Sequence, residues 1–90
     1  MFYVYILECA DSTYYVGSTS DLQRRLQQHN FAKAGAHYTK IRRPVELKYF
    51  EEVETLGLAR AREAEIKRWT RKQKSELVKS RQVRPDLIPL

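Results

Sequence analysis

Two short apolar runs on either side of a polar turn begin the chain. Residues 2–7 (FYVYIL) and 14–17 (YYVG) are rich in the β-branched and aromatic residues that favour strands, and residues 11–13 (DST) have turn chemistry. We therefore expect two antiparallel strands, since a short turn joins strands only in that sense. Ser20 and Asp21 then carry the N-cap signal of a helix, with Leu22 and Leu26 spaced for one helical face.

The rest of the chain predicts one more strand and two helices. Residues 45–53 (VELKYFEEV) alternate in part between apolar and polar, which is typical of a half-buried strand. Thr55 is a candidate N-cap for a helix over residues 58–69, and a short basic helix would follow over residues 71–78. The predicted fold is therefore α+β, with a small three-stranded antiparallel sheet flanked by helices in the order β-β-α-β-α-α.

A chain of 90 residues has room for a single core. We assign residues 1–80 to one domain and residues 81–90, which hold two of the three prolines, to a C-terminal tail. No apolar run approaches the ~18 residues that a membrane span needs. Glu8 interrupts the early apolar stretch, so we expect no signal peptide and a cytoplasmic protein that binds no membrane. Cys9, the single cysteine, is interpreted as a small buried residue, with a catalytic thiol paired with a histidine as the alternative.

The chain is strongly basic, with 17 Lys and Arg against 11 Asp and Glu and a net charge of +6. Such an excess favours a polyanionic partner, and DNA or RNA would both fit. Residues 30–43 would form an irregular connector suited to contact with nucleic acid, or else a solvated linker with Tyr38 in the core. The candidate nucleic-acid-binding residues are Gly17, Ser18, Arg24, Lys33, His37, Tyr38, Lys40, Arg42, Arg43, Lys67, Arg71, Lys72 and Lys74.

Side chains suited to phosphate chemistry would meet near the start of the fold. The first two strands carry Tyr5 and Tyr15 toward a helix that carries Arg25 and His29. A guanidinium is always charged and presents a planar fork of donors that matches phosphate oxygens. Glu63 would lie among apolar neighbours on the later helix, which is where a functional carboxylate is expected.

Two tyrosine triplets in this order resemble the signature of the GIY-YIG endonuclease superfamily. The triplet at residues 4–6 (VYI) is followed about ten residues later by the triplet at residues 15–17 (YVG), then by Arg25 and by Glu63 in a Glu-x-x-Ile-Lys pattern. The similarity covers residues 2–78 and is greatest to small stand-alone bacterial proteins that consist of little more than this domain.

The resemblance implies hydrolysis of phosphodiester bonds in DNA with a single divalent metal ion, Mg²⁺ or Mn²⁺. Tyr5 or Tyr15, with Tyr5 favoured, would position or deprotonate the attacking water, and His29 would assist the proton transfer. Arg25 would bind the scissile phosphate. Glu63 would hold the metal ion, because one carboxylate suffices when waters and phosphate complete the ligand shell. Since the pKa of tyrosine is about 10, the tyrosine could act as a base only if the metal, Arg25 or a basic surround lowered that pKa.

The chain departs from the family pattern at several positions. The first triplet is Val-Tyr-Ile in place of Gly-Ile-Tyr, so that the tyrosine is kept and the glycine is lost. Ser18 stands where some repair nucleases of the superfamily carry a lysine, and Ser75 where they carry an asparagine; we expect these losses to weaken the positioning of substrate or metal. Glu65 is a second candidate metal ligand on another helix face. Gly17 either permits a close approach of the backbone or forms a bulge or turn.

We therefore expect a metal-dependent endonuclease that selects DNA by structure rather than by sequence, in DNA repair or recombination. No added element for reading bases is visible, and a protein partner could supply substrate specificity. The alternative is a DNA- or RNA-binding module on the same fold with weak or lost catalysis. Glu63 favours the enzyme, because an acid in a basic groove weakens nucleic-acid binding unless a cation neutralises it. The sequence carries no signal for an oligomeric state.

Overall fold

Three antiparallel strands form one sheet in the structure, a computed structural model that describes residues 1–31 and 37–81. The strands are β1 (Phe2–Glu8), β2 (Tyr14–Thr19) and β3 (Glu46–Val53). The most apolar strand, β1, lies in the centre, in the order β2-β1-β3. The predicted turn joins β1 to β2, and the backbone N–H of Cys9 donates to the carbonyl oxygen of Thr13 at 2.8 Å within it.

Helices connect and cover the strands. They are α1 (Leu22–Phe31), α2 (His37–Lys40), α3 (Leu56–Lys67) and α4 (Arg71–Ser80). Side-chain caps begin the three longer helices: Asp21 accepts from the backbone of Arg24 at 3.1 Å, and Thr55 and Thr70 accept from the backbone three residues later. These caps satisfy N–H groups that the first helical turn leaves without partners. The caps therefore fix where each helix begins; those of α1 and α3 lie where the sequence predicts an N-cap, whereas that of α4 was not predicted.

Alternation of side chains along the strands builds a core on each face of the sheet. Val4 and Ile6 of β1 lie on one face, beneath Ile66 of α3, whereas Tyr5 lies on the opposite face, against Leu22 of α1. β2 forms one edge of the sheet and meets both layers, since its Ser18 donates to Glu63 of α3 and its Gly17 lies against Tyr5.

The predicted α+β class, the antiparallel three-stranded sheet and the order of its elements are confirmed. The connector expected to be irregular holds one further element, the four-residue helix α2. Trp69 is half-buried against the core of the α3 face. Residues 82–90 lie outside the described residues, so the division into residues 1–80 and 81–90 stays a prediction. In the described ranges, no helix is long and apolar enough to cross a membrane.

Candidate active site

A buried chain of hydrogen bonds links β1 to α1 and α2. The Tyr5 hydroxyl lies 2.8 Å from His29 Nε2, and His29 Nδ1 lies 2.7 Å from Thr39 Oγ1. Tyr5 is 1% exposed, and His29 and Thr39 are completely buried. A buried polar group without a partner would destabilise the fold, so these three groups satisfy one another. Thr39 had no signal in the sequence, since nothing in its spacing distinguishes it from the rest of the connector.

Burial keeps the hydroxyl and the imidazole uncharged at neutral pH. Burial raises the pKa of Tyr5 well above its ordinary value of 10.0; the Arg25 guanidinium lowers that pKa in part, while Tyr15 and Glu63 raise it. Burial also lowers the pKa of His29 from 6.5 to about 4, with the positive charge of Arg25 as the second cause. A neutral imidazole has one N–H, so one of its two hydrogen bonds is donated and the other is accepted.

Gly17 of β2 makes room for the Tyr5 side chain. The two residues lie directly opposite each other in the antiparallel register of β1 and β2. A Cβ atom on Gly17 would lie 2.4 Å from the Tyr5 hydroxyl oxygen and 2.6 Å from Tyr5 Cζ, well inside van der Waals contact. The register of β1 and β2 continues through this pair without a shift. The close approach, and not a bulge, therefore explains the glycine.

Tyr15 also touches His29, but with its ring. The two ring centroids are 4.9 Å apart at an interplanar angle of 64°, an edge-to-face contact. The Tyr15 ring also packs at 5.9 Å against Tyr38, and the Arg42 guanidinium lies 3.9 Å from the Tyr38 ring centroid. Tyr38 is half-buried against the core of the α1 face, as one of the two expectations for the connector had it. Tyr15 therefore packs the imidazole in place, whereas Tyr5 is hydrogen-bonded to it.

Arg25 lies on α1, one helical turn before His29. It is half-buried, and its Nη1 donates to Gln28 Oε1 at 3.0 Å. Its positive charge lowers the pKa of both Tyr5 and His29. The charge of Glu63 acts on Tyr5 as well. The structure therefore brings the side chains of Tyr5, Tyr15 and His29 into contact, and the charges of Arg25 and Glu63 act on Tyr5.

The Glu63 carboxylate is held by two side chains. Ser18 Oγ donates to Oε1 at 2.6 Å, and Lys67 Nζ lies 2.6 Å from Oε2. The Glu63 side chain is 21% exposed, so solvent reaches it. Glu65 forms an ion pair with Arg62 instead, on a more exposed part of α3. Of the two candidate metal ligands, Glu63 and Glu65, it is therefore Glu63 that lies beside β2.

Glu63 could hold a divalent metal ion. Across residues 1–31 and 37–81, no three His, Cys, Asp or Glu side chains are grouped as a cage for a metal. This donor set fits Mg²⁺, which retains several waters and binds through one or two carboxylates. Mn²⁺ is suited to the same oxygen ligands.

Several of the basic residues predicted to contact nucleic acid are engaged within the protein. Arg42 forms an ion pair with Asp11 at 2.9 Å, Arg43 donates to a backbone carbonyl of α1 at 2.6 Å, and Arg71 lies 4.5 Å from an aromatic ring centroid of β2. Each still carries its positive charge. These three residues therefore add to the field of the surface while they stabilise the fold.

Other predicted contacts are open to solvent or lie outside the described residues. Arg24, Lys40 and Lys72 are exposed, and Lys74 is half-buried. Lys33 lies outside the described part of the chain, and so does the side chain of His37, whose backbone begins α2. These three exposed cations lie on α1, α2 and α4, and Lys67, also exposed, lies on α3.

Comparison with known proteins finds one family and a group of small relatives. The family described as the GIY-YIG catalytic domain matches residues 1–76. A UPF0213 protein of Syntrophus aciditrophicus is 52% identical over 77 residues, which cover 86% of this chain and 88% of that protein. A UPF0213 protein of Staphylococcus aureus is 47% identical over 79 residues, which cover 88% of this chain and 95% of that protein.

Two solved structures share this architecture. A UPF0213 protein of Bacillus halodurans is 37% identical, with a TM-score of 0.59 over 91% of this chain and 87% of that chain. A protein of E. faecalis is 42% identical, with a TM-score of 0.59 over 87% of this chain and 82% of that chain.

Proposed function

Because this chain belongs to the GIY-YIG family, the catalytic domain of an endonuclease superfamily, we propose that it hydrolyses phosphodiester bonds in DNA with a divalent metal ion, Mg²⁺ or Mn²⁺. The buried hydrogen bond between Tyr5 and His29, with the charges of Arg25 and Glu63 acting on Tyr5, is the observation that carries the proposal. It combines a proton acceptor, a phosphate-binding cation and a metal-binding carboxylate, which are the groups that such a reaction uses.

The proposed base is the pair of Tyr5 and His29 rather than a lone tyrosine. From the sequence, a tyrosine could act as the base only if its pKa were lowered. Burial instead raises the pKa of Tyr5. In the proposed step, the Tyr5 oxygen takes a proton from the attacking water while the Tyr5 O–H proton passes to His29 Nε2. His29 Nδ1 keeps its hydrogen bond to Thr39, so the tyrosine stays neutral and the imidazole gains the charge. The negative charge of a bound phosphate would raise the pKa of His29 and so favour this transfer.

Arg25 and Glu63 would act on the phosphate. The Arg25 fork would donate to the non-bridging oxygens and stabilise the negative charge that develops as water attacks. Glu63 would hold the metal ion, which would supply Lewis-acid stabilisation of the same charge when bound. The charges of both residues act on the pKa of Tyr5, which supports their assignment to one reaction.

The proposed substrate is DNA selected by its shape, in repair or recombination. Cations spread over α1, α2 and α4 contact phosphates, which every sequence presents, so they favour structure over sequence. A protein partner would then supply further specificity. A single cysteine, which cannot form an internal disulfide, agrees with action in the cytoplasm.

Cleavage of labelled DNA tests the proposal. Single-stranded, duplex and branched DNA are incubated with Mg²⁺ or Mn²⁺ and the wild type, Glu63→Gln or Arg25→Ala. Glu65→Gln is the matched control, because it removes the same charge from α3 at an acid that pairs with Arg62. We expect metal-dependent nicking by the wild type and by Glu65→Gln, and none by the other two variants.

The result also separates the enzyme from a binding module. Nicking that is lost in Glu63→Gln while DNA binding is kept supports the nuclease. DNA or RNA binding by the wild type without cleavage of any substrate would contradict it and favour the module. If Glu65→Gln lost nicking to the same extent as Glu63→Gln, the assignment of the metal ion to Glu63 would be wrong.

A further inference from the structure

Both oxygens of the Glu63 carboxylate have a partner from this chain. Ser18 donates to Oε1 from strand β2, and Lys67 reaches Oε2 from the last turn of α3, each at 2.6 Å. The two partners differ in charge and in freedom. Ser18 is a neutral donor on a half-buried strand position, whereas the Lys67 side chain is 51% exposed on a flexible stem.

We propose that Ser18 and Lys67 are positioning residues for Glu63 with opposite effects on metal binding. Ser18 keeps Oε1 in place in both the metal-free and the metal-bound protein. Lys67 is an internal cation that occupies Oε2 and leaves when a divalent ion binds. This inference rests on the proposed function, since it takes Glu63 as the metal ligand.

The two contacts have different consequences for a second cation. A carboxylate offers about four lone-pair sites, so the hydrogen bond from Ser18 leaves the others open and fixes the side chain for a ligand. The ammonium of Lys67 instead repels a divalent ion at the same group. The Lys67 end of this ion pair is exposed and the pair lies within one helix, so it contributes little to stability and Lys67 can withdraw from Oε2 without disturbing the core.

The withdrawal of Lys67 from Glu63 would also change which charges lie near the substrate phosphates. In the metal-free protein the ammonium of Lys67 offsets the charge of the Glu63 carboxylate, so an anionic backbone can approach. Once released, the same ammonium is free to contact a phosphate, which agrees with the prediction that Lys67 binds nucleic acid. One lysine would therefore serve Glu63 first and the substrate afterwards.

Binding of Mn²⁺ in the absence of DNA tests the proposal, by titration calorimetry and by the electron paramagnetic resonance signal of free Mn²⁺. We expect Ser18→Ala to weaken binding by about tenfold, and Ser18→Thr to restore it because the hydroxyl is kept. Lys67→Gln should strengthen binding by about two- to fivefold, since it removes the competing charge but keeps a hydrogen-bond donor. The control is Arg68→Gln, which removes a charge from the next residue, an exposed one; it should change binding much less.

Chemical labelling of lysines gives a second readout. Added Mn²⁺ should increase the modification of Lys67 by an amine-acylating reagent while that of Lys79 stays constant, and Glu63→Gln should abolish the increase. Circular dichroism confirms that each variant is folded. Weaker Mn²⁺ binding by Lys67→Gln, or Lys67 labelling that ignores the metal, would overturn the inference.

The failure of this inference can be distinguished from that of the proposed function. A wild type that cleaves DNA with metal, together with a Lys67→Gln variant that binds Mn²⁺ no better, overturns only the role of Lys67. A wild type that neither binds Mn²⁺ nor cleaves DNA overturns both.

Discussion

His29 makes the stability of this fold depend on pH. Burial lowers the pKa of the imidazole to about 4 in the folded protein, against an ordinary value of 6.5. Between these two values the unfolded chain binds a proton that the folded chain does not, so lowering the pH favours unfolding. The contribution of the neutral imidazole to the free energy of unfolding is therefore present above pH 6.5 and is lost as the pH falls toward 4.

The size of the effect follows from the shift. The difference between 6.5 and about 4 corresponds to about 3 kcal/mol in the free energy of unfolding, at about 1.4 kcal/mol for each pKa unit. Two thirds of it, about 2 kcal/mol, should be lost between pH 7 and pH 5, because at pH 5 the unfolded imidazole is nearly all protonated while the folded one is mostly neutral. That loss is a large part of the stability of a small domain.

Urea unfolding at pH 7, 6 and 5 measures this loss in the wild type and in His29→Gln. Glutamine can still hydrogen-bond but does not titrate, and His37 is present in both proteins, so its contribution cancels in the comparison. We expect the wild type to lose about 2 kcal/mol more than the variant between pH 7 and pH 5. An equal loss in both proteins would refute the assignment of a neutral, buried imidazole.

Three further substitutions test the contacts around the site. Gly17→Ala should destabilise the protein by about 1–3 kcal/mol in urea and abolish DNA nicking, because the new Cβ displaces the Tyr5 hydroxyl; wild-type nicking would contradict the close approach. Asn30→Ala should cost about 1–3 kcal/mol, since its side chain bonds both the N–H and the carbonyl of Val45, yet leave Mn²⁺ affinity unchanged in the same titration. Thr39→Val keeps the shape but removes a buried partner of the imidazole, so its thermal unfolding should report a loss of about 1–3 kcal/mol.

The fold could be predicted where its signals are local. Each N-cap lies within three residues of the N–H that it satisfies, and each strand is a short run of apolar or alternating residues, so both can be read from neighbouring positions. Helix α2 gives no such signal, because four residues are too few to show a helical period. Its position follows instead from contacts made across the chain, with Tyr38 against the ring of Tyr15 and Thr39 against the imidazole.

The site was predictable as a set of residue types but not as a set of contacts. The resemblance supplied the tyrosines, the arginine, the histidine and the glutamate, and the structure shows contacts among Tyr5, Tyr15 and His29. The partners that hold them are distant in sequence: Ser18 and Glu63 are 45 positions apart, and Thr39 lies ten positions beyond His29. The raised pKa of Tyr5 could not be predicted from the sequence either, because it depends on how deeply the hydroxyl is buried beside Gly17.

Ser18 stands where some repair nucleases of the superfamily carry a lysine, and from the sequence alone that loss would weaken the positioning of the metal. The contacts of Glu63 favour the opposite effect, because Ser18 donates to the carboxylate and Lys67 already places a positive charge beside it. Lys67 lies one turn after Glu63 on the same helix, and residues four apart on a helix are neighbours. The charge beside the carboxylate therefore comes from α3, and a lysine at position 18 would add a second one. We expect Ser18→Lys to bind Mn²⁺ more weakly than Ser18→Ala, because it loses the hydroxyl and also adds a competing ammonium. Adding Lys67→Gln to Ser18→Lys should recover part of the affinity in the same titration. Binding by Ser18→Lys as tight as that of the wild type would show that charge at this position does not compete with the metal.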